Sequence, residues 1–178
     1  IIGQVLLAQQ ALRQELQQDH LITNIVFMGM GEPLANFSET IKAIKILTDP
    51  NGFNLSRRRV TISTSGLVPQ IMKLADYVNV SLAISLHAPF NKLRDELVPI
   101  NRRHPIEALL DACWFYAKHG RLKTVTFEYT LLKGINDQPK HARQLCKLLK
   151  DRPAKVNLIP FNTFSGVAYQ PTPIYQIN

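Results

Sequence analysis

Short apolar runs that read as strands alternate along this chain with longer stretches of helical period. Each run ends in small or polar residues. Residues 24–28 carry Ile25-Val26-Phe27-Met28 into Gly29-Met30-Gly31-Glu32-Pro33. Residues 59–63 carry Val60-Thr61-Ile62 into Ser63-Thr64-Ser65-Gly66. Residues 80–86 carry Leu82-Ala83-Ile84 into Ser85-Leu86-His87. Residues 124–132 hold Glu128 and lead to Gly134-Ile135-Asn136-Asp137, and residues 155–159 lead through Pro160 to Phe161-Asn162.

Between them the apolar residues recur at i, i+3 and i+4, the signature of amphipathic helices. Residues 1–18 place Ile1, Ile2, Val5, Leu6, Leu12 and Leu16 near one face, and an uncapped apolar start suggests a chain cut inside an element. Ser38 is suited to cap a helix over 39–48, with Ile41, Ile44 and Leu47 inward. Further helices are expected over 67–75, at a short turn from Lys92 to Glu96, over 106–118 with Ile106, Leu109, Leu110 and Cys113 inward, and over 139–150 with Ala142, Leu145, Cys146 and Leu149 inward. Residues 162–178 lack periodicity and read as loop or a frayed end.

Strands alternating with helices imply right-handed βαβ units and a parallel sheet. Five strands are too few for the eight of a closed barrel, which leaves a partial (β/α) barrel or an open doubly wound sheet. In either, the C-terminal strand ends gather on one face, where ligands bind. A single α/β domain over 1–178, incomplete at both ends, is the simplest organisation.

The 178 residues are 46% hydrophobic and 19% charged, ordinary for a globular domain. No run approaches the roughly 20 apolar residues of a membrane span, and no secretory leader pattern is visible, so the cytoplasm is the default compartment. The two cysteines, Cys113 and Cys146, read as buried small hydrophobes. Alone they hold neither zinc nor an iron–sulfur cluster. The net charge of +8 favours a polyanionic partner. Its cations concentrate at Arg57-Arg58-Arg59, at Arg94, Arg102 and Arg103, and along residues 140–152.

The strand ends carry the candidate chemistry. The glycines of Gly29–Glu32 allow close approach of a ligand to the backbone, and Glu32 offers an acceptor for an ammonium; a tight turn without a ligand accounts for the same spacing. Ser63 and Ser85 are suited to ribose hydroxyls or a carboxylate, or to capping the next helix, a role Ser65 fits well. His87 stands on the ligand face. Glu128 lies mid-strand with no identifiable cationic partner. Asn157 and Asn162 flank the last strand end, and Asn162, lying beyond it, has the better claim to a ligand. Neither a G-x-S-x-G elbow nor an H-E-x-x-H motif is present.

Taken together, Gly29-Met30-Gly31-Glu32-Pro33-Leu34, Arg58 to Gly66, Ser85-Leu86-His87-Ala88, Val98-Pro99-Ile100-Asn101 and Asn157 to Asn162 resemble one family closely and in order. It is the radical S-adenosylmethionine RNA methyltransferases that methylate carbon 2 of an adenine in 23S rRNA and certain tRNAs. The resemblance implies a partial barrel of the radical-SAM type, with S-adenosylmethionine and a [4Fe–4S] cluster at its C-terminal mouth. It implies cofactor contacts at Gly31, Glu32, Ser63, Ser85, Leu86, His87 and Asn162; with an RNA substrate, the basic clusters make Arg57, Arg58, Arg59, Arg102 and Arg103 the candidates for phosphate contacts. Its partners would be 23S rRNA, tRNA and an electron donor.

A related group methylates carbon 8 and carries Ala at the position of Pro33 and Ile at that of Ser65, so both residues here favour the carbon-2 enzymes. The family's C-x-x-x-C-x-x-C motif, its N-terminal RNA-binding domain and its methylated cysteine have no counterpart in the chain. The resemblance therefore implies the middle of such an enzyme, holding no cluster and inactive as written. The alternative is a catalytically dead RNA- or nucleotide-binding α/β module.

Overall fold

A computed structural model describes residues 1–17 and 22–177. The element order is α1 (Ile2–Leu16), β1 (Ile25–Phe27), α2 (Phe37–Thr48), β2 (Val60–Thr64), α3 (Val68–Leu74), β3 (Ser81–Ser85), α4 (Asn91–Leu97), α5 (Ile106–His119), β4 (Val125–Leu131), α6 (Pro139–Leu149), β5 (Ala154–Pro160) and α7 (Ile174–Ile177). Gln18, the expected end of the first helix, lies outside the described residues.

All strand pairs are parallel, and the strands stand in the order β1-β2-β3-β4-β5. A doubly wound sheet reverses its order at a switch point; this one never does. Right-handed crossovers taken always in the same direction put every intervening helix on the same face, which is how a barrel begins. The fold is thus the partial barrel rather than the open doubly wound sheet.

Alternation along the strands divides the sheet. Val60, Ile62, Leu82, Ile84, Val125, Phe127, Tyr129 and Leu131 join Ile41, Ile44 and Leu47 of α2, Ile71 and Leu74 of α3, Ile106, Leu109, Leu110 and Cys113 of α5, and Leu145 of α6 in one core. The intervening residues form the opposite face: Thr61 and Ser63, Ser81 and Ser85, Thr126, Glu128 and Thr130, Lys155 and Asn157. This second face is largely polar, with Val26, Ala83 and Ile159 as its apolar members. It corresponds to the inside of the barrel. Tyr116 fixes α5 beneath the sheet: its hydroxyl accepts the Val80 N–H at 3.0 Å and donates to the Val80 carbonyl at 2.8 Å.

Several local expectations are corrected. Ser38 lies inside α2 and caps nothing, because a 3-10 turn over Pro33–Asn36 feeds straight into the helix. No residue of α1 is buried, although Ile2 and Val5 pack partly against the core. In α6 only His141 and Leu145 are buried, while Ala142 and Cys146 are exposed. Within 162–178, the described residues 162–177 are not simply frayed. Leu132 bridges Pro171, the Thr172 hydroxyl donates to Asp137 at 2.9 Å, and Gln176 donates to the Asp137 carbonyl at 3.1 Å. No described helix is long and apolar enough to cross a membrane.

Candidate functional site at the C-terminal strand ends

The exits of β1 and β2 are joined by one carboxylate. After Phe27 the chain turns through Gly29 and Gly31, at φ of +112° and +96°, a region that side-chain-bearing residues rarely adopt. The turn delivers Glu32 in extended conformation at the head of the 3-10 turn. One Glu32 oxygen, Oε1, accepts the Leu34 N–H at 3.0 Å. The other, Oε2, accepts both the N–H and the hydroxyl of Ser65, each at 2.8 Å. Ser65 therefore does not cap α3; a negatively charged acceptor from another strand exit outcompetes the local helix end. A carboxylate offers about four lone-pair directions, so these contacts leave one, on Oε1. A cleft of about 570 Å³ opens beside it, lined in part by Val26, Met28, Met30 and Gly31.

The exits of β3 and β4 are joined by backbone. The N–H groups of Leu86 and His87 both donate to the Glu128 carbonyl, at 3.0 and 3.2 Å. His87 adopts φ +55°, and its Nδ1 accepts the Thr130 N–H at 3.0 Å. That bond requires an unprotonated Nδ1, so the ring is neutral with its hydrogen on Nε2. Burial, then the nearby Arg94 charge, lowers its pKa from 6.5 to about 4. Asn136, missed in the sequence as a functional candidate, completes the junction: its amide donates to the carbonyls of His87 (2.8 Å) and Thr130 (2.7 Å) and accepts the Leu132 N–H (2.7 Å).

Strand register sets the heights of the other candidates. Ser63 stands level with Ala83, and Ser85 stands level with Glu128 and Asn157, two residues nearer the mouth. Glu128 points to the polar face. Its partner is neither Arg nor Lys but Asn157, whose amide donates to Oε2 at 2.6 Å. The alternation Thr126, Glu128, Thr130 in the sequence carried that signal. Leu86 is wholly buried, and its carbonyl accepts from both Ala88 N–H and Arg94 Nε, so it supports Ser85 and His87 rather than offering a free polar group. Asn162 is exposed two residues past β5 and makes no hydrogen bond to the others. Glu32, Ser63, Ser85, His87 and Asn162 thus lie toward one end of the sheet; the cleft at Gly31 and Glu32 does not extend to the other four.

The arginines do not form one surface. Arg57–Arg59 precede β2, at the N-terminal end of the sheet, and their side chains diverge. Arg57 lines a cleft with Asp76, Arg58 one with Arg121, Lys123 and Lys155, and Arg59 a third, where it donates to the Thr23 carbonyl at 3.4 Å. Arg102 and Arg103 precede α5 at the opposite end. Arg94, grouped with them by sequence, is wholly buried.

Cys113 sits in the core, where burial pushes its thiol far above the usual range, whereas Cys146 is exposed. Among the described residues no three His, Cys, Asp or Glu come together to hold a metal ion. The described residues therefore offer no donor set that fits an iron–sulfur cluster. The residues at the mouth do fit an amino-acid-bearing nucleoside: a glycine turn with open space over Gly31, a carboxylate with a free lone pair, and strand-end hydroxyls at Ser63 and Ser85.

A parallel partial barrel with a glycine–glutamate turn at its mouth defines a class, and the chain matches the Radical SAM superfamily over residues 3–146, to which it belongs. Within that class it is similar to the dual-specificity RNA methyltransferase RlmN. It is 52% identical to RlmN of Pseudomonas putida (strain W619) over 172 residues, covering 96% of this chain and 45% of that protein. It is also 52% identical to RlmN of Halorhodospira halophila over 177 residues, covering 99% and 48%. The chain thus spans about half the length of the curated relatives it matches. A radical SAM methyltransferase from Sphaerobacter thermophilus superposes with a TM-score of 0.91 at 42% identity, over 99% of this chain and 51% of that one. A domain of a pyruvate-formate lyase-activating enzyme from Bacteroides vulgatus shares the fold, with a TM-score of 0.64 at 16% identity over 86% and 88% of the two chains.

Proposed function

We propose that this chain is the S-adenosylmethionine-binding part of an RNA methyltransferase that methylates carbon 2 of adenine in 23S rRNA and tRNA. The observation that carries the reading is Glu32, held by Leu34 and Ser65 with one acceptor position left uncommitted, lining a cleft with Gly31. That position and the Gly31 backbone receive the ammonium of the cofactor's methionyl end. Ser63 and Ser85 take ribose hydroxyls or the carboxylate, His87 offers its Nε2 hydrogen, and Asn162 closes the rim from beyond β5. The cofactor supplies the methyl group and, in the whole enzyme, the radical chemistry that an unactivated ring carbon needs.

The cluster cysteines and the methylated cysteine belong to parts of the enzyme outside this chain, which alone is inactive. Ser65 and Pro33 favour the carbon-2 enzymes; an Ile at position 65 would keep the backbone N–H bond to Glu32 but lose the hydroxyl's. The whole protein is cytoplasmic and draws its electron from a separate donor. RNA phosphates meet Arg102 and Arg103 at the mouth, with Arg57, Arg58 and Arg59 contacting phosphates further along.

Calorimetric titration tests the cofactor reading. The chain binds S-adenosylmethionine weakly, and Glu32→Ala weakens it roughly ten- to a hundredfold, the loss of one charge-assisted hydrogen bond. Unchanged affinity in that variant overturns the assignment. For RNA, affinity falls steeply with salt; a flat response removes RNA contact from this chain.

A further inference from the structure

Arg94 lies on α4, yet it is wholly buried. Its Nε donates to the Leu86 carbonyl at 3.2 Å, and its Nη1 to Asn101 Oδ1 at 3.0 Å. Its Nη2 donates to the Ser65 carbonyl at 2.7 Å and the Ser85 carbonyl at 2.9 Å. Among the described residues no carboxylate pairs with it; neighbouring Asp95 is occupied by the Asn101 amide at 2.6 Å. Burying a cation costs several kcal/mol, and an apolar side chain of similar volume stabilises a core as well or better. What an apolar side chain cannot do is draw carbonyls from two strand exits to one point.

The geometry around that point is tight. At Gly66, φ +115°, a Cβ would come within 3.1 Å of Leu109 and 3.4 Å of Nη2. With the Ser65 carbonyl held by Arg94, the same residue's N–H and hydroxyl are committed to Glu32. With the Ser85 and Leu86 carbonyls held, the following N–H groups are committed to Glu128, and His87 is set in place.

We propose that Arg94 is a positioning residue: through Ser65 it orients Glu32, and through the Ser85 and Leu86 carbonyls it orients Ser85 and His87, so that the two sides of the mouth keep one geometry. Its consequence for the cofactor rests on the function proposed above; the geometric claim does not. Lysine keeps the charge but lacks the planar fork that reaches all of these acceptors.

The test is amide hydrogen exchange by NMR on the chain and on Arg94→Lys, with Asn101→Ala as a second variant that frees Nη1 while leaving Arg94 in place. Exchange at Leu34, Ser65, Leu86 and His87 should rise tenfold or more relative to Val80 and to the α2 amides. Uniform change across the sheet, or none, assigns Arg94 a merely structural part and overturns the proposal. In parallel, affinities are measured for S-adenosylmethionine and for 5′-methylthioadenosine, which lacks the amino-acid group. The first should weaken at least tenfold in Arg94→Lys, and the second less; unchanged affinity for S-adenosylmethionine overturns the link to the cofactor, and equal weakening of the two overturns its route through Glu32. Should the unsubstituted chain bind neither compound, the functional reading fails, and the exchange data still decide the positioning claim.

Discussion

Removing the Glu32 carboxylate is expected to destabilise the fold as well as the site. In Glu32→Ala, three hydrogen bonds disappear: one from Leu34 N–H and two from Ser65. Each is charge-assisted, worth about 1.5–3 kcal/mol where fully formed and dry. Their sum overstates the loss. The group is only part-buried, and water can replace the carboxylate at the Ser65 hydroxyl and N–H. One such bond is the appropriate scale, so the unfolding free energy should fall by about 2–3 kcal/mol. For a chain of this size, that lowers the melting temperature by roughly 4–12 °C. Urea unfolding with an unchanged m-value would measure it cleanly. Glu32→Gln should lose less, because its remaining oxygen still accepts from Ser65 while its NH2 faces the Leu34 N–H. A double-mutant cycle with Ser65→Ala should show coupling of about 1 kcal/mol or more. A loss under about 0.5 kcal/mol in Glu32→Ala would refute the reasoning that this carboxylate ties two strand exits together.

The remaining predictions concern single contacts. His87 has a folded pKa of about 4 against 6.5 when unfolded, so the unfolded state binds more protons between those values, and stability is lost as pH falls through that window. The limit is about 3 kcal/mol. His87→Gln should flatten that part of the urea-derived stability profile, and an identical slope would show that the ring is not the group responsible. Tyr116→Phe leaves the Val80 N–H without its acceptor and should cost about 1–3 kcal/mol by the same assay. Gly31→Ala meets no steric obstacle but keeps φ near +96°, so it should cost about 1–3 kcal/mol in strain alone. Gly3→Ala, in α1, should cost nothing.

Much of this architecture was legible because its signals are local. Apolar runs of strand length, and stripes such as Ile41, Ile44 and Leu47, report burial directly when one helix face meets a sheet. What escaped depends on distant partners. Ser65 reads as a helix cap by every nearby rule, but its acceptor lies 33 residues away on another strand exit. Arg94 reads as surface because a charge is ordinarily solvated; only the convergence of three carbonyls makes its burial tolerable. Cys146 adjoins the apolar stripe of α6, yet the buried arc of that helix is narrow and leaves it outside. The run Arg57-Arg58-Arg59 looks like a single patch in one dimension and points into three clefts in three.

The account stands most directly on an NMR titration of the isotopically labelled chain with S-adenosylmethionine. It predicts shifts at Gly31, Glu32, Ser63, Ser85, His87 and Asn162, with little change at Val60, Ser81 and Val125, where the same strands begin. Shifts centred on the strand beginnings, or saturation with the mouth undisturbed, would contradict it.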